Sequence, residues 1–191
     1  MRTLVLLLEE PSAREMLKGL LPQILPDTIQ TQYVVFEGKQ HLDKELVRRL
    51  RGWKRPNSSF VVLRDQDAGD CLVIKDSLLG KCQEAGHSEA VVRIACRELE
   101  AWYLGDLAAV ETALHIQGLT KNQKKAGYRN PDKVVNPSSE LRKLTRDRYQ
   151  KVAGSRAIGP ELNVDRNLSR SFQVFVAAIK SLFEVDGTDR A

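Results

Sequence analysis

Three acidic residues stand where an α/β fold would gather them. Glu9 ends the apolar run 3–8, and Asp65 and Asp67 follow the Val-rich run 60–63. Clustered carboxylates repel one another unless a positive charge holds them together. A hard divalent cation does this, and magnesium prefers a few carboxylates, water and a phosphate-bearing substrate to a full protein cage. Glu9, Asp65 and Asp67 would leave such open positions for Mg2+ (or Mn2+). A metal there could polarise a phosphodiester, activate water or stabilise a leaving oxygen. An isolated Asp-x-Asp is more often a solvated loop. A Glu after the first strand together with Asp-x-Asp after the third is far more specific.

Other candidates surround this trio. Glu98 and Glu100 follow the fourth apolar run, and Glu100 could serve as a further ligand or a general base, or as an acid favoured at a helix start. Lys151 could offset charge building on a phosphate. The chain carries a formal charge of +5, but residues 118–156 hold eleven Lys/Arg against three Asp/Glu, so the remainder is acidic. That asymmetry points to a basic surface beside an acidic site. Lys121, Lys124, Lys125, Arg129 and Arg156 are the candidates for gripping a nucleic-acid backbone, which predicts salt-sensitive binding. The three histidines lack metal-ligand spacing, which argues against zinc. No Gly-x-x-x-x-Gly-Lys-Ser/Thr occurs, so the chain is not itself a P-loop ATPase.

These residues need a scaffold. At 191 residues, 42% hydrophobic and 29% charged, the chain is globular. Three cysteines in no metal spacing indicate a reduced, cytoplasmic protein. Run 3–8 is too short for a signal peptide and meets Glu9-Glu10, and no run is long enough for a membrane helix. The first hundred residues alternate strand and helix: strands at 3–8, 32–36, 60–63 and 90–95, and helices starting near Ser12, around Leu42–Leu46–Leu50, and at 70–85. Ser12 and Glu15 have capping-box spacing. Helix 98–115 is interrupted at Gly105, with Asp106 as a cap and Trp102 in the core. Short connections imply a parallel sheet with ligands beyond its carboxyl end. Alternation along an extended chain would place Asp65 and Asp67 on one side. The expectation is an α/β core at 1–117, and at 118–191 a basic, mainly helical elaboration packed on it as one compact domain. In that elaboration a helix opens at Ser138, a loop carries Lys151, Gly154, Arg156 and Gly159, a helix covers 172–183, and the tail from Asp186 frays.

The strand ending in Glu9, the Ser12 helix and Leu63-Arg64-Asp65-Gln66-Asp67 together resemble the TOPRIM pattern of topoisomerases, primases and some nucleases. Glu9-Glu10-Pro11-Ser12-Ala13, Asp65-Gln66-Asp67 with Asp70-Cys71, Glu98-Leu99-Glu100-Ala101-Trp102 with Gly105-Asp106, and Ser169-Arg170-Ser171-Phe172 extend the likeness. They resemble a TOPRIM-like bacterial family often encoded beside an ATPase gene. The resemblance implies a Rossmann-like, mostly parallel sheet, with Glu9, Asp65 and Asp67 as metal ligands. It also implies nuclease-type cleavage of DNA or RNA, and an ATPase partner in defence or DNA metabolism. Many TOPRIM domains have Gly after the Glu, where this chain has Glu10, so Glu9 and Glu10 both stand as ligand candidates, Glu9 being preferred for its spacing to Ser12. A regulatory subunit that binds without catalysis is the alternative.

Overall fold

Four strands form the centre: β1 (Arg2–Leu8), β2 (Ile29–Val35), β3 (Ser58–Asp65) and β4 (Val91–Ala95). All pair in parallel, in the order β2-β1-β3-β4. This is a computed structural model, and it describes residues 2–183. The tail from Asp186 lies outside the described residues. The helices are α1 (Pro11–Leu20), α2 (Lys39–Arg51), α3 (Cys71–Glu84), α4 (Glu100–Leu104), α5 (Leu107–Ala113), α6 (Pro137–Leu144), α7 (Lys151–Ile158) and α8 (Arg170–Phe183). The fold is an α/β sheet flanked by helices, consistent with a Rossmann-like class. No helix among the described residues is long and apolar enough to cross a membrane.

Period-2 alternation sorts the strands onto two cores. Leu4, Leu6, Leu8, Val61 and Leu63 face one way, with α1 and most of the C-terminal helices. Val5, Leu7, Phe60, Val62, Val92 and Ile94 face the other way, under α2 and α3. β1 is thus buried on both faces, which is why it reads as an unbroken apolar run. The connection from β1 to β2 uses α1 on one face. The connections that return to β3 and go on to β4 use α2 and α3 on the other. A right-handed crossover moving in opposite directions along a sheet demands this arrangement. Direction reverses between β1 and β3, so the crevice at their carboxyl ends is the switch point of the sheet.

The first core also holds Leu119, Leu141, Tyr149, Ile158, Phe172 and Phe175. Residues on both sides of position 118 therefore share one core. Trp102 is fully buried, and its indole N–H donates to Ser171 Oγ at 2.8 Å. Asp106 caps α5 through the Ala109 N–H and also binds Arg166. Asp70 caps α3 in the same way.

Two local expectations are corrected. Ser12 does not cap α1: Glu10 is the N-cap, Pro11 starts the helix, and Ser12 Oγ donates to Glu10 at 2.5 Å. Proline suits the first helical position because that N–H needs no partner. Glu15, free of any capping role, is buried among Arg156 (2.7 Å), Arg14 (2.9 Å) and Lys18 (3.3 Å). Lys151 and Arg156 lie in helix α7, not a loop. The glycines here mark close packing: a Cβ on Gly154 would run into the Tyr149 ring, and one on Gly159 would run into the Met16 carbonyl oxygen. Cys96 is partly exposed, because it lies just beyond edge strand β4.

This packing is testable in two ways. Gly159→Ala forces its new methyl against the α1 backbone, and overpacking of this kind costs about 1–3 kcal/mol; chemical denaturation should show that loss. The Arg156 guanidinium, aided by Arg14 and Lys18 against the opposing effect of burial, holds the Glu15 carboxyl down at about 2. A depressed carboxyl pKa contributes stability that is complete above the unfolded value of 4.5 and is lost as pH falls towards 2. Glu15→Gln should therefore be less stable than the parent at pH 7, with the gap closing between those two pH values.

Candidate functional site

Pairing of β1 with β3 sets Leu8 beside Leu63, so the segments that follow leave the sheet side by side. The Glu9 N–H donates to the Leu63 carbonyl at 3.3 Å, and the Glu9 carboxylate accepts the Asp65 N–H at 3.1 Å. Glu9 and Asp65 are thus brought together. Their side chains nevertheless serve opposite faces. Glu9 continues the Val5–Leu7 row towards α2, whereas Asp65 continues the Val61–Leu63 row towards α1 and α7.

On the α2 side, each carboxylate has a nearby cation. Arg64 lies 4.0 Å from Glu9 and 3.0 Å from Asp43, and Lys81 also binds Asp43, at 2.8 Å. Asp67 is held by Lys39 at 2.7 Å. Asp67 has φ 54, a left-handed conformation that ends the extended run after Asp65. The expected alternation therefore fails at this residue, and Asp67 faces the start of α2. Lys39, a partner with no sequence signal, lies at the other end of that contact.

On the α1–α7 side the balance differs. Glu10, Asp65 and Glu100 lie near enough to feel one another's charge, and Lys151 is the cation that faces them, 2.6 Å from Glu10. Burial pushes the Asp65 carboxyl well above the usual range, and the charges of Glu10, Glu100 and Glu9 add to this. Burial likewise raises Glu100, against the pull of Lys151 and a hydrogen bond from the Tyr149 hydroxyl. Burial also raises Glu9, against the Asp65 N–H. Burial works against the Lys151 ammonium, but Glu10, Glu100 and Asp65 outweigh it and raise its pKa.

Glu100 shows the imbalance most directly. It is 1% exposed, and its Oε1 accepts from Tyr149 at 2.9 Å. Its Oε2 is buried and has no hydrogen-bond partner among the described residues. Tyr149 and Tyr103 continue inward to Ser155, which Tyr103 meets at 2.8 Å. Nothing in the sequence marked these hydroxyls, because Tyr103 lies in α4, some fifty residues before Tyr149 and Ser155. Glu98 points elsewhere and accepts the Ser138 N–H at 2.7 Å.

Oxygen donors with surplus negative charge suit a hard cation. Among the described residues, no three His, Cys, Asp or Glu side chains are gathered closely enough to form a metal-holding group. The arrangement is an open carboxylate edge, not a closed cage. Of the basic candidates, Lys121, Lys124, Lys125 and Arg129 are exposed. Their segment is anchored by Gln123, which accepts the Leu107 N–H and donates to the Leu104 carbonyl. Arg156 is tied to Glu15.

A carboxyl with a raised pKa stabilises the fold at low pH and loses that contribution as pH rises through and beyond the ordinary value. Asp65→Asn should therefore melt higher than the parent at pH 7, by about 2–4 °C for each kcal/mol recovered. The gain should shrink towards pH 4, where the parent carboxyl is neutral too. Thermal melts across pH provide the check.

No curated protein and no solved structure matches the chain. A family model matches residues 8–180, from the last residue of β1 into α8, and so takes in both acidic segments and the basic stretch. The chain belongs to the family described as a domain of unknown function (DUF4276).

Proposed function

We propose that the protein is a divalent-metal-dependent phosphodiesterase acting on nucleic acid, with a TOPRIM-type site at the switch point of its sheet. The observation that carries this reading is the excess of carboxylates at Glu10, Asp65 and Glu100 over the one cation facing them, Lys151, with the buried Glu100 Oε2 unpartnered among the described residues. Asp65 is the central ligand, since the charges of Glu10, Glu100 and Glu9 all bear on it. Glu10 supplies a second carboxylate on the same face, while Glu9 and Asp67, on the α2 side, would have to turn towards the metal, Asp67 leaving Lys39 to do so. Bound Mg2+ or Mn2+ would supply Lewis acidity towards a phosphodiester oxygen.

The chain's own groups have separate tasks. Glu100, held by Tyr149, would accept a proton from a water that reached its unpartnered Oε2. Lys151 is half exposed and can turn from Glu10 towards a phosphate oxygen. Lys121, Lys124, Lys125 and Arg129 form an exposed basic approach for the backbone. Three free thiols, Cys71, Cys82 and Cys96, agree with a cytoplasmic setting. A second reading, a non-catalytic subunit docking on an ATPase, is favoured by Lys151 itself. Its ammonium already neutralises Glu10 where a cation would bind.

Incubation of the purified protein with DNA and RNA, in Mg2+ or Mn2+, tests the first reading. Cleavage should occur, and Asp65→Ala should reduce it by more than the roughly 10–100-fold that loss of a supporting partner costs a metal site. Replacing Lys121, Lys124 and Lys125 with alanine should flatten the salt dependence of binding by about 0.9 in slope for each phosphate left without its lysine. Absence of cleavage with either metal, alone or with a partner ATPase, sinks the enzymatic reading. A biological phenotype unchanged by Asp65→Ala would favour the docking subunit.

A further inference from the structure

β4 is an edge strand, and its free side opens into a groove of about 240 Å3 between the start of α3 and the start of α8. The walls combine two chemistries. Leu72, Ile94 and Val174 line the apolar part. Leu72 and Val174 are 70% and 37% exposed, and Val73, beside Leu72, is 67% exposed. Such large exposed side chains clustered at one groove mark a surface that gains by being covered.

Lys75, Arg93 and Arg170 line the same groove. None of the three is in an ion pair among the described residues. Arg93 lies along the strand edge, donating to the Val92 carbonyl at 2.8 Å, while its Nε is buried without an acceptor among the described residues. The one acid among the groove's lining residues, Asp132, is spent on Ser169 Oγ at 2.6 Å and the Ser171 N–H at 2.8 Å. Three cations therefore line the groove against one carboxylate, Asp132, and none of the three is ion-paired with it.

We propose that this groove docks a segment of another protein in which apolar side chains flank an Asp or Glu. The apolar residues cover Leu72 and Val174, and the carboxylate pairs with the guanidinium of Arg93, supported by Lys75 and Arg170. A planar guanidinium favours a carboxylate in a bidentate pair. A nucleic-acid backbone would leave the apolar wall uncovered. A second copy placed edge to edge would bring Arg93 against its own duplicate, and like charges disfavour that pairing. The carboxylate edge at Asp65 plays no part in this docking.

Selection of a random peptide display library on the full-length protein tests the proposal. Enriched peptides should carry Asp or Glu beside Leu, Ile, Val or Phe. Synthetic copies should lose at least about tenfold in affinity on Glu→Gln in the peptide, on Arg93→Met in the protein, or on Leu72→Ser, as loss of a charged or apolar anchor at an interface does. Leu72 is largely exposed, so its variant reports on docking even if Arg93→Met fails to fold. Three results would overturn the proposal: enriched peptides without an acid, peptides that bind Leu72→Ser undiminished, or no enrichment at all. Displacement of the peptides by oligonucleotide, or a dimer in sedimentation that Leu72→Ser dissolves, would overturn it in favour of a nucleic-acid or self-association surface.

Discussion

Parallel pairing of β1 with β3 is the constraint on which the rest of the structure depends. These strands are remote in sequence, and their register sets Leu8 beside Leu63. Without that register, Glu9 and Asp65 would not meet. With it, the Asp65 N–H is committed to the Glu9 carboxylate, and the two acidic segments leave the sheet at one place. The same pairing is where the crossovers change direction, which opens a crevice that neither strand could make alone.

Charge is distributed around that crevice by the pleat of the strands. Residues one apart point to opposite faces, so Glu9 joins Arg64 and the α2 side while Glu10 and Asp65 reach the α1–α7 side. One face is neutralised by Arg64, Lys39 and Lys81. The other has Lys151 against Glu10, Asp65 and Glu100. An ionised group is harder to bury than a neutral one, so the buried carboxyls of the under-neutralised face, Asp65 and Glu100, hold their protons more tightly.

The C-terminal half makes this edge possible. The end of helix α7 packs against α1 where the bare backbone of Gly159 meets Met16, and Gly154 makes room for the Tyr149 ring, so that Lys151 and the Tyr149–Ser155 hydroxyls approach Glu10 and Glu100. Arg156, one turn further on, locks the same pair of helices through Glu15. The basic segment thus divides into residues that build the site and exposed residues at 121–129 that are free to meet a ligand.

The sequence by itself determined the strand–helix order, the double burial of β1, the capping role of Asp106, and the placing of Glu9 and Asp65 at one end of the sheet. These are local or periodic properties, and periodicity is legible because each residue's face follows from its position along an element. Tertiary structure alone decided which carboxylates share a face. Asp67 was turned away from Asp65's face by its own left-handed backbone, which spacing cannot register. The glycines of the 151–159 segment read as a loop, because glycine weakens a helix unless another group must come close, and only the packed Met16 and Tyr149 reveal that need. Tyr149, Ser155, Lys151 and Glu100 come together across some fifty residues, and no pattern in one chain encodes a contact of that range. The acidic edge was therefore visible from the residue types, while its electrical imbalance exists only in the fold.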